Sequence, residues 1–360
     1  MRWIMTLLLG GLAAMPAAAT APLFAGFGEA DITPKLDGKP VYLAGFGVNR
    51  KATAVLDPLA VRAVVLRHDG KTIAVACADV VGLFLPSVER VRKQLNGLDY
   101  VLVSSTHNHH GADTMGLWGP TPFTSGIDPD YLRRVESAIV QTIRDAEKSL
   151  RPVTAHIGCV SAPELLHDSR PPIVKHDQLV AIELRDPAND RPAGIVIQWN
   201  CHPETLDSKN TRISSDFVGA AVKELKARHD CPVVYLTGTV GGLMTSMHVD
   251  IADERGRRLP EGGAEKMQAY GRRLAAKVNE ALGNAKPVRL TPFVVRSRSI
   301  ALPVDNRRFA LAKQLGVLDR PMERWTGDVN QPVTPLAEVG KDRGAIRTEI
   351  AWLRLGELDV

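Results

Sequence analysis

The chain has 360 residues, 44% of them hydrophobic and 24% charged, a globular balance that excludes disorder and supplies apolar material for a large core. Its 45 basic and 40 acidic residues leave a net charge of +5, spread along the chain; the densest basic cluster, Arg255-Gly256-Arg257-Arg258, lacks the aromatic neighbours that stack bases. A nucleic-acid partner is therefore not expected, whereas peripheral contact with an anionic lipid surface fits the charge.

Residues 1–19 read as a cleaved signal peptide: Arg2 provides the positive start, residues 4–12 the apolar stretch and Ala17-Ala18-Ala19 the small-residue cleavage site. The mature protein is expected to start near Thr20 and to be periplasmic or secreted. Pro16 and the alanines cut the apolar run below the roughly twenty residues of a membrane anchor, and no later segment has the length or purity to cross a bilayer.

Residues 61–67 and 72–78 are strand-like and joined by His68-Asp69-Gly70-Lys71, whose Asp-Gly pair signals a hairpin. Residues 86–95 form a helix opened by Pro86, and residues 99–103 a short buried strand. A Gly/Pro-rich stretch, 116–129, has the composition of a lid or substrate wall. The spacing of Leu132, Val135, Ile139, Ile143 and Ala146 predicts a helix over 130–150. Strands are predicted at 153–160, 179–184 and 195–199, helices at 216–228, capped by Ser214 or Ser215, and at 265–282, and a strand at 348–355 that belongs inside the sheet. This alternation gives an α/β domain over residues 20–360, a mixed β-sheet core with flanking helices and a site at strand C-terminal ends. Four cysteines in an exported chain allow two disulfides, but Cys77, Cys201 and Cys231 lie in or beside apolar strands, where a buried thiol packs as a hydrophobe; Cys159 can go either way.

The most informative motif is Thr106-His107-Asn108-His109-His110-Gly111, which delivers three imidazoles at the end of the strand at 99–103. On an extended backbone His107 and His109 share a face while His110 points away, and neutral imidazole is the commonest metal ligand and a usual acid or base. A second cluster, Asn200-Cys201-His202-Pro203-Glu204, follows the strand at 195–199. Pro203 holds His202 extended, and Glu204, of the same parity, is placed to be a further ligand or a general base. Asp79 and Asp216 are candidates to hold a metal-bound histidine through its second nitrogen. Arg170, in a proline-rich loop, suits an oxyanion or carboxylate.

These blocks, in this order, resemble the neutral/alkaline non-lysosomal ceramidase family, zinc-dependent amidases that cleave the N-acyl bond of ceramide. The similarity runs from about Phe27 to Val360 through Gly28-Glu29-Ala30-Asp31-Ile32-Thr33-Pro34, residues 59–65, Ala78-Asp79, Thr106-His107-Asn108-His109, Ser169-Arg170-Pro171, residues 200–203 and residues 213–219. The resemblance implies zinc ligation by His107 and His202, assistance at the substrate carbonyl by His109, and Arg170 as the site arginine. Two departures mark the chain as a truncated or divergent member. Where the family has Gly-Asp-x-Ser-Pro-Asn, this chain has Gly241-Gly242-Leu243-Met244-Thr245-Ser246, so Gly242 replaces the aspartate and Met244 the candidate serine nucleophile. The family's remaining ligands, a glutamate and a tyrosine, come beyond the position matching Val360, which implies weak zinc affinity for these 360 residues.

The expected function is that of an exported zinc amidohydrolase acting on ceramide or a related N-acyl compound, with His109 or Glu204 moving the proton to the leaving amine. The rival is a non-catalytic binding protein that keeps the fold after losing the active-site loop and part of the metal site.

Overall fold

The Asp-Gly signal is a hairpin in the computed structural model, because Asp69 and Gly70 take φ of 47° and 73°, the left-handed pair that a two-residue turn between twisted strands requires. The structure describes residues 21–168, 170–240, 244–331 and 343–360; the signal-peptide reading, Ser169 and Gly242 lie outside them.

In chain order the principal elements are β1 (Leu23–Asp31), β2 (Ala60–His68), β3 (Lys71–Ala78), α1 (Leu85–Lys93), β4 (Tyr100–Ser105), α2 (Pro129–Lys148), β5 (Arg151–Ser161), β6 (Gln178–Arg185), β7 (Pro192–Trp199), α3 (Asp216–His229), β8 (Val233–Thr237), α4 (Ala264–Gly283), β9 (Phe293–Val304), α5 (Arg307–Gln314) and β10 (Gly344–Leu355). The mixed sheet runs β8-β7-β6-β5-β1-β2-β3-β4. Its two parallel pairs, β7 with β8 and β3 with β4, lie at opposite ends of that path.

The two halves of the sheet are joined by a short antiparallel pairing of Leu23–Ala25 with residues 151–153, and this narrow seam lets them fold face to face. Leu23, Val64, Leu66, Ile73, Val153, Leu184 and Val234 fill the space between them. The outward residues of the same strands, one position out of phase, pack on helices. Val61 and Val65 meet Ile139 and Ile143 of α2, and Ile195 and Ile197 meet the layer that holds Phe217, Leu274 and Val278 of α3 and α4. The order is thus helix, sheet, sheet, helix. Closure brings the C-terminal end of β4 beside that of β8, where Thr237 Oγ1 donates to Thr106 O at 2.9 Å.

Three local expectations need correction. Residues 348–355 are a strand, but β10 pairs with β9 in a separate four-stranded sheet, Thr348 opposite Ile300, so its alternation reports a different sheet from the main one. Ser215 stands at the N-cap of α3 but its side chain caps nothing, because its Oγ donates to Asp57 Oδ1 at 2.6 Å, and Ser214 Oγ accepts the Asp216 N–H at 2.9 Å. Helix α2 starts one turn position early because Asp128 accepts the N–H groups of Asp130 and Tyr131 at 2.9 and 3.4 Å. All four cysteines are free, with Cys77, Cys201 and Cys231 buried and Cys159 exposed. Among the described residues no helix is long and apolar enough to cross a membrane.

Helix α4 reaches β5 only because Gly158 has no side chain; a Cβ there would strike the Ala281 carbonyl. Gly158→Ala is expected to lower stability by about 1–3 kcal/mol, as overpacking does, read as a lower urea midpoint at unchanged slope.

Candidate metal centre

Beyond β4 the chain keeps its links to the strand beside it: Thr106 N–H bonds Ala78 O at 2.9 Å and Asn108 N–H bonds Val80 O at 3.1 Å. Between them His107 is turned into the left-handed region at φ 62°. The extended backbone expected for this motif is therefore wrong at its first histidine, although His107 and His109 still meet, with ring centroids 4.9 Å apart. A non-glycine residue in this conformation costs of order 1–3 kcal/mol and persists only where its surroundings over-determine it.

Those surroundings are visible. Asn108 is fully buried; its Nδ2 donates to Ser214 O at 2.8 Å and its Oδ1 accepts the His110 N–H at 2.9 Å. His107 Nδ1 lies 2.8 Å from Val81 O. A carbonyl can only accept, so Nδ1 carries the proton and Nε2 keeps the lone pair that binds a metal. His202 repeats the arrangement from the other half of the sheet: both its backbone N–H and its Nδ1 reach Met244 O, each at 2.9 Å. The rings of His107 and His202 are 4.8 Å apart.

His109 completes the group. Its ring sits 5.7 Å from that of His202, and its Nδ1 lies 2.8 Å from Glu204 Oε1, a close but bent contact that falls short of a straight hydrogen bond. Glu204 Oε2 accepts from Thr245 Oγ1 at 2.6 Å. Gly45, at φ 103°, lies flat against the His109 ring, where any Cβ would collide with Cγ, and Phe46 meets the same ring edge-on at 5.1 Å. Arg50 donates to Ala44 O at 3.0 Å and His109 O at 2.8 Å, tying the two loops together.

His110 belongs to the scaffold. Arg50 Nη2 and Asn210 Nδ2 approach its Nδ1 at 3.2 and 3.1 Å; both are donors, so its proton is on Nε2, which faces Asp216 Oδ2 across 3.5 Å. Asp216 thus serves a histidine outside the metal group, and also accepts the N–H groups of Phe217 and Leu206 at 2.6 and 3.1 Å. Asp79 touches none of the histidines: it is spent on Arg62 Nη1 at 3.0 Å and the Ala60 N–H at 2.9 Å. The expectation that either carboxylate would hold a metal-bound histidine is corrected, since backbone carbonyls do that work. Arg170 is exposed, its backbone N–H on Asp168 Oδ1 at 3.0 Å, with no side-chain contact to the histidines among the described residues. Met244 is buried, and its sulfur accepts the His176 N–H at 3.2 Å.

Charge states follow from these contacts. Burial, then the neighbouring His109 and His202, pulls His107 down to about 4, so it is neutral at physiological pH. Burial acts to raise Glu204, but the His109 contact and the Thr245 hydroxyl outweigh it and hold the carboxyl near 2. Burial raises Asp216 to about 6.

The donor set suits a divalent metal. One nitrogen from each of His107, His109 and His202 lies within 4.8 Å of the others. Three ligands on bonds of about 2.1 Å to one tetrahedral ion lie about 3.4 Å apart, so the group closes on an ion when its longest separation shortens by about 1.4 Å, a change shared between two side chains. Arg50, Gly45, Thr245 and the carbonyls of Val81 and Met244 had not been singled out in the sequence; a carbonyl has no residue signature, and Gly45 sits in a short Ala-Gly-Phe-Gly stretch that carries no chemistry of its own.

Fold and geometry together define an αββα scaffold with a three-histidine centre at its strand ends. In structure the chain is similar to the neutral ceramidase from Pseudomonas aeruginosa, at a TM-score of 0.71 and 18% identity over 94% of this chain and 61% of that one. It is equally similar to a ceramidase complexed with C2, at a TM-score of 0.71 and 17% identity over 94% and 62% of the respective chains. The fold is neutral ceramidase-like, and the chain spans about three-fifths of the length of those two proteins. No family profile and no curated protein matches the chain.

In metal-free protein, NMR should show His107 titrating near 4 rather than at the usual 6.5 or so. The folded state then resists protonation, so this residue's contribution to stability is intact above about 6.5 and is lost as pH falls toward 4. Asp216 slopes the other way between its ordinary value and about 6, which is why the residue-resolved titration, rather than global stability, is the decisive readout. A second expectation is that Gly45→Ala displaces His109, seen as altered imidazole shifts confined to this cluster.

Proposed function

We propose that this protein is an exported zinc-dependent amidohydrolase that cleaves the N-acyl bond of ceramide or a related N-acyl compound. The observation that carries the reading is the convergence of His107, His109 and His202, with the Nδ1 atoms of the first and last already engaged by carbonyls. The neutral ceramidase-like fold and the residues matched in sequence support the same reaction class.

In this reading His107 and His202 hold the ion through Nε2. When bound, zinc supplies a Lewis acid that polarises an acyl carbonyl and acidifies water at neutral pH. His109, whose ring is the more distant from His202, holds or moves the proton on its Nε2 at the scissile bond. Glu204, a carboxylate throughout the neutral range, lies behind His109 at its Nδ1 and positions the ring while the leaving amine is served. Glu204 is thereby a positioning residue rather than a proton donor. Arg170, exposed and with no side-chain partner among the described residues, is available to a substrate oxyanion or carboxylate. No serine is needed: Met244 stands where the resemblance places the family's hydroxyl, and the Ser246 hydroxyl is tied to His202 O at 3.1 Å and Thr205 Oγ1 at 2.9 Å.

The test is zinc content and hydrolysis of N-acylsphingosine by purified protein. His107→Ala and His202→Ala are each expected to weaken zinc at least about 100-fold, since losing a mere supporting contact costs 10–100-fold. His109→Gln should retain zinc and lower kcat by about 10²–10⁴-fold. Zinc bound without turnover of any N-acyl substrate would favour the binding-protein alternative, and failure of the wild-type chain to bind zinc would overturn the reading. N-terminal sequencing of exported material should start near Thr20.

A further inference from the structure

We infer that the loop Arg170-Pro171-Pro172-Ile173-Val174-Lys175-His176 is a lipid-surface contact that seats the histidine centre against a bilayer. Ile173 and Val174 are adjacent in the chain and are 59% and 64% exposed, among the most exposed large aliphatic side chains described. Two neighbouring apolar residues held out in water at a loop tip cost free energy unless something covers them.

What covers them is indicated by charge. The apolar pair is bracketed by Arg170 and Lys175, with His176 beyond, and the loop contains no acid. Of the two nearest carboxylates in sequence, Asp168 lies buried beneath the tip and Asp177 half-exposed beyond His176. Asp168 is buried and turned inward, its two oxygens accepting the Arg170 and Val174 N–H groups at 3.0 and 2.8 Å, and Asp177 accepts from Ser161 Oγ at 2.7 Å. Lys175 Nζ lies 3.3 Å from the Pro163 carbonyl in an exposed contact, and its charge is opposed only from below, by the Asp168 carboxylate at the base of the loop. Apolar side chains flanked by cations match the acyl boundary and the anionic headgroups above it.

The loop is rigidly coupled to the centre. Asp168, which organises it, belongs to a short strand paired with Met244 and Thr245; Met244 O orients His202, and Thr245 Oγ1 holds Glu204. The last residue of the loop closes on the same structure, since the His176 N–H bonds the Met244 sulfur and its carbonyl accepts from Asn200 Nδ2 at 3.0 Å. A bilayer engaged by Ile173 and Val174 therefore lies one strand pairing from the histidines, the placement needed by a site that draws a lipid from a membrane. The purpose of the surface rests on the N-acyl-lipid reading; its detection does not.

The experiment is co-sedimentation of the full chain with vesicles of phosphatidylcholine, pure or doped with phosphatidylglycerol. The Ile173→Asp/Val174→Asp double variant is expected to lose at least about tenfold in partitioning to both vesicle types, the scale of two lost aliphatic insertions. Lys175→Gln should lose about fivefold on the doped vesicles alone. Unchanged near-ultraviolet circular dichroism and zinc content establish that the variants are folded. No vesicle binding by the wild type overturns the inference, as does binding that the double variant retains or that only Lys175→Gln impairs. Turnover separates the two readings: a double variant that still hydrolyses a short-chain, water-soluble N-acyl substrate but not the vesicle-embedded one supports the surface, whereas a chain inactive on both substrates that still sediments through this loop refutes only the amidase.

Discussion

Two backbone carbonyls, Val81 O and Met244 O, fix the tautomers of the histidine cluster by accepting the Nδ1 protons of His107 and His202. Each bond selects one tautomer and one ring orientation, and both leave Nε2 as the free donor atom. A carbonyl is well suited to the task because it brings no charge. A carboxylate in its place would raise the basicity of the imidazole, whereas here burial and the neighbouring rings pull His107 down to about 4. His107 is thereby kept neutral and receptive to a cation.

The two rings meet only because the sheet folds on itself. His107 follows β4 in one half and His202 follows β7 in the other, and the halves are joined by three residues of antiparallel pairing at β1 and β5. The αββα layering that buries three hydrophobic clusters also makes the strand ends converge. Asn108 and Asp216, both buried, and the half-buried Arg50 then hold the loops through hydrogen bonds, which in a low-dielectric interior are worth more than in water. Burial brings the Arg50 guanidinium down only to about 10, so it stays charged and keeps bridging His109 O and His110 Nδ1.

Much of the fold was legible from local pattern. The Asp69-Gly70 hairpin, the α2 stripe of Val135, Ile139 and Ile143, and the apolar strands around Cys77 and Ile195 all followed from period and turn chemistry acting over a few residues. Strands such as β9, whose partner lies some fifty residues away, did not announce themselves, and β10 was read as a strand but assigned to the wrong sheet, because alternation reports a half-buried face and not the identity of the partner. The site showed the same division. Three histidines after one strand and one after another marked the centre, yet the left-handed turn at His107 was invisible to a reading that extended the strand geometry one residue too far.

Sequence by itself determined the residue types at the centre, the alternation that builds the layers and the proline-rich loop that carries Arg170, since all of these are local. Only the tertiary structure decided which carboxylate serves which histidine. Glu204, of the right parity to reach a metal, instead meets His109; Asp79, placed at a strand end, is taken by Arg62; and Asp216 turns to His110. The reason is physical: a buried charge goes to whichever partner the packed layers bring within hydrogen-bond reach, and that distance is a property of the closed sheet, not of spacing along the chain.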